Sequence, residues 1–191
     1  MIRSHESFVS LEKYYEMREK SDSVLEYIDG VVYMSPSPST KHQRVSSRLL
    51  LRFGNFLIGG PCEVFTAPYD IELKKDDVEG NIIVIPDLSI ICDKRGFTET
   101  KYVGVPTLVV EILSPSNQSH DLITKLNLYM KYGVKEYWIV NPMLDSITIY
   151  ILNHEGMYEQ FDIKTGQGKV ISKEFAGLDV DLEYVFSPIG L

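Results

Sequence analysis

Long apolar runs and cysteines are both scarce in this sequence of 191 residues. No stretch approaches the ~20 apolar residues that a membrane-spanning helix needs. The N-terminus, MIRSHESFVSLEKYY, lacks the apolar core of a secretory signal. The two cysteines, Cys62 and Cys92, cannot make a disulfide scaffold. We therefore interpret them as reduced packing residues and expect a cytoplasmic protein with no membrane partner.

An excess of positive charge is missing as well. Lys and Arg number 19 against 27 Asp and Glu, which gives a formal net charge of −8. A chain this acidic repels nucleic acid at long range, so DNA binding would require local basic surface or bound metal. The 44% hydrophobic and 24% charged residues exclude a disordered chain, a coiled coil and a collagen-like repeat. Without repeats or a linker, we expect one domain over residues 1–191, with its core at about 11–186.

The N-terminal third carries clear local signals. Helical spacing after a Ser cap predicts a short helix from Ser10 to Lys20. Apolar runs flank Asp29-Gly30, and an Asp-Gly pair in this setting is typical of a β-hairpin turn. The Ser/Thr pair at 39 and 40 is suited to capping an amphipathic helix over Lys41 to Leu57.

Beyond residue 60, short strand patterns predominate. Strands are predicted at 63–66, 69–73, 107–113, 136–140, 147–152, 158–163 and 170–171. Residues 81–92 are apolar on both faces, as in a central strand, but Pro86 predicts a bend or a sheet edge there. Residues 121–132 are predicted to form a helix that ends at Gly133. We interpret 93–102 as a charged loop and the C-terminal residues as a docking tail. The whole predicts an α/β or α+β fold.

Two acids, Asp87 and Glu111, interrupt otherwise apolar predicted strands. An ionised carboxylate in such surroundings is unfavourable unless it is paired or binds a metal ion. Each acid has an ordinary explanation: Asp87 as a turn residue after Pro86, and Glu111 as the partner of a Lys or Arg. If the two strands are neighbours in one sheet, the carboxylates instead form an oxygen-rich site suited to Mg²⁺.

Lys125 lies on the predicted helix after Glu111, beside an apolar face at ~100° per residue, and is therefore aimed at the sheet. A lysine stem that snorkels along apolar surface would explain this position. Alternatively, its ammonium neutralises an acid, orients an attacking water or stabilises charge on a phosphate.

Three further candidates are open to both structural and functional interpretations. Glu26 is either a third acid of the site or an exposed hairpin residue. His42 faces inward from the first turn of its helix, either as a hydrogen-bonded structural residue or as a catalytic one. A basic stripe on that helix is either a solvated face or a rim that contacts phosphates; it comprises Lys41, Arg44, Arg48 and Arg52.

Several common sites are not indicated. His5, His120 and His154 lack metal-ligand spacing, and the cysteines make no Cys-x-x-Cys pair, so a zinc site is not expected. A Gly-rich phosphate loop, a Gly-x-Ser-x-Gly elbow and a His-Glu-x-x-His motif are also missing from the sequence.

Six short motifs, in order along the chain, match one pattern. They are Glu26-Tyr27-Ile28-Asp29-Gly30, Ser35-Pro36-Ser37-Pro38 with His42, Pro86-Asp87-Leu88, Val110 to Ser116, the Asp121-to-Lys125 pair before Tyr129, and Gly133 to Val140. Together they resemble the Uma family of restriction-endonuclease-like proteins, within the PD-(D/E)XK nuclease superfamily. The resemblance runs from about Leu11 to the C-terminus.

This resemblance implies a restriction-endonuclease-like fold: a mixed central sheet flanked by helices, preceded here by the N-terminal helix and hairpin, with a divalent-metal site on the central strands. Asp87 matches the superfamily's first acid and Glu111 its second. The superfamily's lysine follows two residues after the second acid, where this sequence has Leu113. In the Uma family the lysine lies on the following helix, and Lys125 matches it. The superfamily also contains members that have lost activity.

The leading hypothesis is Mg²⁺- or Mn²⁺-dependent endonucleolytic hydrolysis of DNA. Asp87 and Glu111 would hold the metal, Lys125 would position water or offset phosphate charge, Glu26 would be an outer ligand, and His42 a substrate or supporting contact. Two alternatives are a non-catalytic binding or assembly module and a metal-dependent hydrolase of small phosphate esters. Aromatic residues at 11% and the apolar C-terminal strands leave room for a homodimer.

Overall fold

The structure, a computed structural model, describes residues 8–35, 37–115 and 120–188. Its α-helices are α1 (Leu11–Lys20), α2 (Thr40–Leu57), α3 (Leu126–Tyr132) and α4 (Leu182–Phe186). Its strands are β1 (Leu25–Ile28), β2 (Val31–Met34), β3 (Glu63–Thr66), β4 (Asp70–Glu72), β5 (Ile82–Val84), β6 (Leu88–Ile91), β7 (Lys101–Val103), β8 (Leu108–Ile112), β9 (Glu136–Asn141), β10 (Ser146–Leu152), β11 (Tyr158–Thr165), β12 (Lys169–Ile171) and β13 (Asp179–Asp181). A 3₁₀ turn covers Lys94–Gly96 and a π-helical turn covers His120–Lys125.

The predicted N-terminal elements are confirmed. Ser10 caps α1 by accepting a hydrogen bond from the Lys13 backbone N–H at 3.2 Å. Asp29 and Gly30 have φ angles of 45° and 92°, so both central residues of the β1–β2 turn are left-handed. This is the geometry that a two-residue hairpin turn needs, and an Asp-Gly pair adopts it at little cost.

The strands form two main sheets, in the orders β2-β1-β5-β4-β7 and β11-β10-β9-β8-β6-β3. The bend predicted at Pro86 is where the chain passes from one sheet to the other, because β5 belongs to the first and β6 to the second. Proline has no backbone N–H to donate to a strand pairing, so the run cannot continue through it. Asp87 therefore stands at the junction between the two sheets.

β8 lies in the middle of the six-stranded sheet, antiparallel to β6 and parallel to β9. The parallel pairing requires a crossover, and the segment that contains α3 supplies it. Mixed sheets with flanking helices confirm the predicted fold class.

Apolar side chains cover both faces of β8. Leu108, Val110 and Ile112 pack in the core that contains Val45, Leu49 and Phe53 of α2. Val109 and Leu113 pack in the core that contains Tyr129 and Tyr132 of α3. Because side chains alternate along a strand, Glu111 shares the α3 side with Val109 and Leu113.

Two expectations about less regular segments are wrong. Residues 101–103 form β7 rather than part of a loop, because Tyr102 is buried and the strand pairs in parallel with β4. The C-terminal residues do more than dock. The predicted strand at 170–171 is β12, and the residues after it form β13 and α4 and contribute Leu178, Val180, Leu182 and Val185 to the core.

The interpretation of the cysteines as reduced packing residues is also wrong. Cys62 and Cys92 form a disulfide between residues 30 positions apart in sequence. The β3–β6 register pairs Glu63 with Ile91. The two cysteines, each one residue beyond this pair, therefore lie opposite each other with their Cα atoms 4.1 Å apart.

Among the described helices, none is long and apolar enough to cross a membrane.

Candidate active site

A cavity of about 270 Å³ opens where the two sheets meet. Its wall includes four of the predicted site residues: Asp87, Glu111, Lys125 and His42. Side chains from four separate parts of the chain therefore meet in one space. The rest of the wall comes from the residue before β1, the β2–α2 loop, the first turn of α2, the β3–β4 loop, the residue after β5 and the end of β8; these residues are Val24, Ser35, Ser37, Pro38, Gln43, Ala67, Pro68, Ile85, Ile112 and Ser114.

Asp87 reaches the cavity because it directly precedes β6. The register pairs Leu88 with Val110, so the antiparallel strands bring Asp87 next to the position of Glu111. Asp87 Oδ2 accepts a hydrogen bond from the Ile112 backbone N–H at 2.8 Å and lies 3.2 Å from His42 Nε2. Within the described ranges, Oδ1 accepts no hydrogen bond, and 21% of the side chain is exposed. One oxygen is thus anchored, which leaves the other for a ligand.

Glu111 is far more buried, with 3% exposure. Its Oε1 accepts two hydrogen bonds from one helical face, from Lys125 Nζ at 2.9 Å and from the Tyr129 hydroxyl at 2.7 Å. The sequence hypothesis of an ion pair with a Lys or Arg is therefore correct for Glu111. Such a pair does not exclude a catalytic role, since Glu111 also lines the cavity.

Lys125 occupies the space between two carboxylates. Its Nζ lies 2.9 Å from Glu111 Oε1 and 3.0 Å from Glu26 Oε1. Lys125 is only 4% exposed, so its amine does not snorkel to solvent. The inward orientation expected from the helical spacing is confirmed.

Glu26 lies behind the cavity and does not line it. It is 1% exposed, so its interpretation as an exposed hairpin residue is wrong. Its Oε1 accepts a hydrogen bond from the Ile85 backbone N–H at 2.7 Å in addition to the Lys125 contact. Glu26 thereby links β1 and the residue after β5 to the lysine.

Negative charge exceeds positive charge in this cluster. With His42 neutral, the three carboxylates of Glu26, Asp87 and Glu111 and the single ammonium of Lys125 leave a formal charge of −2. Like charges held close together in a partly dry site raise one another's energy, and a bound divalent cation would relieve this.

Tyr129 is a further site residue, not among those predicted from the sequence, because its hydroxyl donates to Glu111. Tyr129 follows the Asp121-to-Lys125 pair in one of the six motifs, and its spacing of four from Lys125 is the signal that could have identified it. The ring is completely buried. Burial first, and then the charge of Glu111, raise the pKa of Tyr129 well above its usual value of 10.0, so the phenol stays protonated and donates.

Most of the basic stripe is engaged within the protein. Lys41 pairs with Asp145 at 2.8 Å, Arg48 donates to the carbonyls of Val185 and Ser187, and Arg52 pairs with Asp179. Arg44 has no hydrogen bond or ion pair to any part of the chain that is described, and its Nε is buried without a partner. The stripe does not line the cavity, and its contact with nucleic acid stays a prediction.

Carboxylate oxygens are the ligands that Mg²⁺ prefers in proteins, but the described residues contain no cluster of three or more His, Cys, Asp and Glu that could hold a metal ion. A cation bound by Asp87 and Glu111 would therefore need water or substrate oxygens to complete its shell, as Mg²⁺ usually does. Leu113, at the position where the superfamily has its lysine, is 4% exposed in the α3-side core and does not line the cavity.

The fold is shared with a solved structure. The crystal structure of "a putative nuclease belonging to DUF820" from Anabaena variabilis ATCC 29413 superposes on this chain with a TM-score of 0.74, and the superposition covers 94% of this chain and 98% of that one. The two sequences are 20% identical, so this similarity concerns the fold. The chain therefore has the same fold as that structure.

The family follows from sequence comparison. Residues 11–183 match the Uma2 family, described as "Putative restriction endonuclease", and the chain belongs to this family. It is also 33% identical, over 149 residues, to the uncharacterized protein slr1290 of Synechocystis sp. (strain ATCC 27184 / PCC 6803 / Kazusa). That alignment covers 78% of this chain and 76% of the relative. The resemblance inferred from the motifs is confirmed, although Pro36 and Ser116 of those motifs lie outside the described residues.

Proposed function

We propose that this protein is a Mg²⁺- or Mn²⁺-dependent endonuclease that hydrolyses phosphodiester bonds in DNA. The observation that carries the proposal is the meeting of Asp87, Glu111 and Lys125 in one cavity, with Lys125 Nζ 2.9 Å from Glu111 Oε1. Membership of the Uma2 family supports a nuclease, since the family is described as a restriction endonuclease.

Asp87 and Glu111 fit a hard divalent cation. Both offer carboxylate oxygens, both line the cavity, and Asp87 Oδ1 accepts no hydrogen bond within the described chain. The surplus negative charge of the cluster favours a cation at this point. When bound, the metal would supply Lewis acidity toward the scissile phosphate and lower the pKa of a coordinated water.

The protein's own residues have distinct parts in this proposal. Lys125 presents a buried ammonium at the cavity wall, where it stabilises negative charge that develops on phosphate oxygens. Glu26 and Glu111 hold the ammonium from two sides, at 3.0 Å and 2.9 Å. His42 and the Ile112 N–H hold Asp87 Oδ2, so the carboxylate keeps one orientation.

The same proposal includes three further points. The substrate is DNA, the active form is a homodimer that cuts both strands, and the protein is cytoplasmic. Metal ions would cancel acid at the site, and Arg44 is the member of the basic stripe best able to meet a phosphate, since the other three have partners within the chain. Because Cys62 and Cys92 form a disulfide, reduced cysteines no longer support the proposed cytoplasmic location.

Plasmid cleavage tests the proposal. Supercoiled DNA is incubated with the native chain and Mg²⁺ or Mn²⁺, and with Asp87→Asn, Glu111→Gln and Lys125→Met. Each substitution is expected to lower the cleavage rate by at least about 10²-fold, as for loss of a group that stabilises transition-state charge. Glu99→Gln is the matched control, because Glu99 is an exposed acid outside the cavity.

Three outcomes count against the proposal. Cleavage that survives chelation of divalent metal excludes a metal-dependent mechanism. Hydrolysis of a small phosphodiester such as bis(p-nitrophenyl) phosphate without plasmid cleavage identifies a small-ester hydrolase. Inactivity on both substrates in a folded, metal-loaded sample identifies a non-catalytic module.

A further inference from the structure

The hydrogen bond between Tyr129 and Glu111 joins a fully buried phenol to a carboxylate at the cavity wall. The donor–acceptor distance is 2.7 Å, and the acceptor is the same Oε1 that Lys125 contacts. We propose that Tyr129 is a positioning residue, which fixes the Glu111 carboxylate for binding a divalent metal ion. This inference rests on the function proposed above.

The helix geometry brings both donors to one oxygen. Lys125 ends the π-helical turn and Tyr129 lies four residues later in α3, and residues four apart share a helical face. π-helical turns are frequent at functional sites, where they alter the direction in which side chains point. Here the turn ends at Lys125, which contacts the two buried acids Glu26 and Glu111.

Two donors on Oε1 restrict the rotation of the carboxylate about its last bond. Lys125 alone would hold it less well, because the ammonium is shared with Glu26. Among the described residues, the Tyr129 hydroxyl donates a hydrogen bond to Glu111 alone. A rigid carboxylate presents its oxygens to a cation in one orientation, and residues that orient a ligand tune metal affinity.

Tyr132 shows that the core does not require every tyrosine hydroxyl to be bonded. It lies on the same helix and is 1% exposed, yet its hydroxyl has no hydrogen-bond partner among the residues that the structure describes. The bond at Tyr129 is therefore specific to the position that faces Glu111, and Tyr132 provides a matched control.

The test is calorimetric titration of the full chain with Mn²⁺. Tyr129→Phe is expected to raise the dissociation constant for Mn²⁺ by about 10- to 100-fold, the usual effect of losing a group that orients a metal ligand. Tyr132→Phe removes a hydroxyl from the same helix, and Tyr158→Phe removes a hydroxyl that donates to the Val134 carbonyl at 2.8 Å, away from the cavity. Both controls are expected to bind Mn²⁺ as the native chain does, and circular dichroism verifies the fold of each variant.

The outcomes separate the two proposals. Native affinity in Tyr129→Phe overturns the positioning role and leaves the nuclease proposal intact. An equal loss of affinity in Tyr158→Phe also overturns it, because the effect would then follow from general loosening of the core. A native chain that binds neither Mn²⁺ nor Mg²⁺ overturns the metal-dependent function and this inference with it.

Discussion

Lys125 Nζ lies 2.9 Å from Glu111 Oε1, and both side chains are at least 95% buried. Glu26 is on the other side of the same ammonium at 3.0 Å. The lysine therefore has a structural role as well as its proposed catalytic one, because it offsets the charge of two acids that are almost completely buried. The effect of a substitution at Lys125 must therefore be measured on both the stability and the activity of the protein.

Lys125→Met is expected to lower the free energy of unfolding by roughly 3–5 kcal/mol, since two buried carboxylates lose their cation. Urea unfolding at neutral pH measures the change. Lys41→Met is the comparison, because its ion pair with Asp145 is about 44% exposed and should contribute less than about 1 kcal/mol. Equal losses in the two variants would show that the buried cluster is not specially dependent on its cation.

Replacing both cysteines by serine is expected to reduce the free energy of unfolding by about 3–4 kcal/mol, because the Cys62–Cys92 bridge closes a segment 30 residues long. The loss should vanish when both proteins are unfolded in the presence of a thiol reductant, which opens the bridge in the native chain. Two titratable thiols in native protein denatured without reductant would contradict the bridge.

Asp179 makes a pH-dependent contribution through its bonds to Arg52 and Lys169. These cations lower the pKa of Asp179 from 3.8 to about 2, with the Arg52 hydrogen bond as the larger cause. A carboxylate whose pKa is depressed by folding stabilises the protein above its unfolded pKa and loses that effect as the pH falls through the folded one. The contribution of Asp179 to the free energy of unfolding is therefore complete above about pH 5 and disappears toward pH 2.

Asp179→Asn is expected to cost up to about 1 kcal/mol at pH 7, because the side chain is about one-third exposed and solvent screens the interaction. Unfolding of the native chain and the variant is compared at pH 7 and near pH 2, with Glu99→Gln as the control. A stability difference that grows as the pH falls would contradict the depressed pKa. High salt should also reduce the difference at pH 7.

Local signals predicted most of the elements that carry the site. The Asp29-Gly30 pair specified its hairpin, Ser10 capped its helix, and Pro86 marked the passage between sheets. Asp87, Glu111 and Lys125 were identifiable because each is a charged residue in an apolar pattern. Such features depend on a residue and its near neighbours, and so they can be read along the chain.

Contacts set by strand register could not be read in this way. The disulfide exists because β3 and β6 pair with Glu63 opposite Ile91, and Arg52 is engaged because β13 returns to α2. Likewise, Glu26 is buried because β1 pairs with β5 and brings its carboxylate under Lys125.

The sequence by itself determined where helices and turns form and which acids and which lysine occupy unfavourable apolar surroundings, because periodicity, capping and burial patterns are local. Only the tertiary structure decided which charges meet. It paired Lys125 with two acids, tied most of the basic stripe to the protein's own acids and carbonyls, and aimed the Tyr129 hydroxyl at Glu111. Those contacts depend on register and on the crossover between β8 and β9, which join segments far apart in the chain.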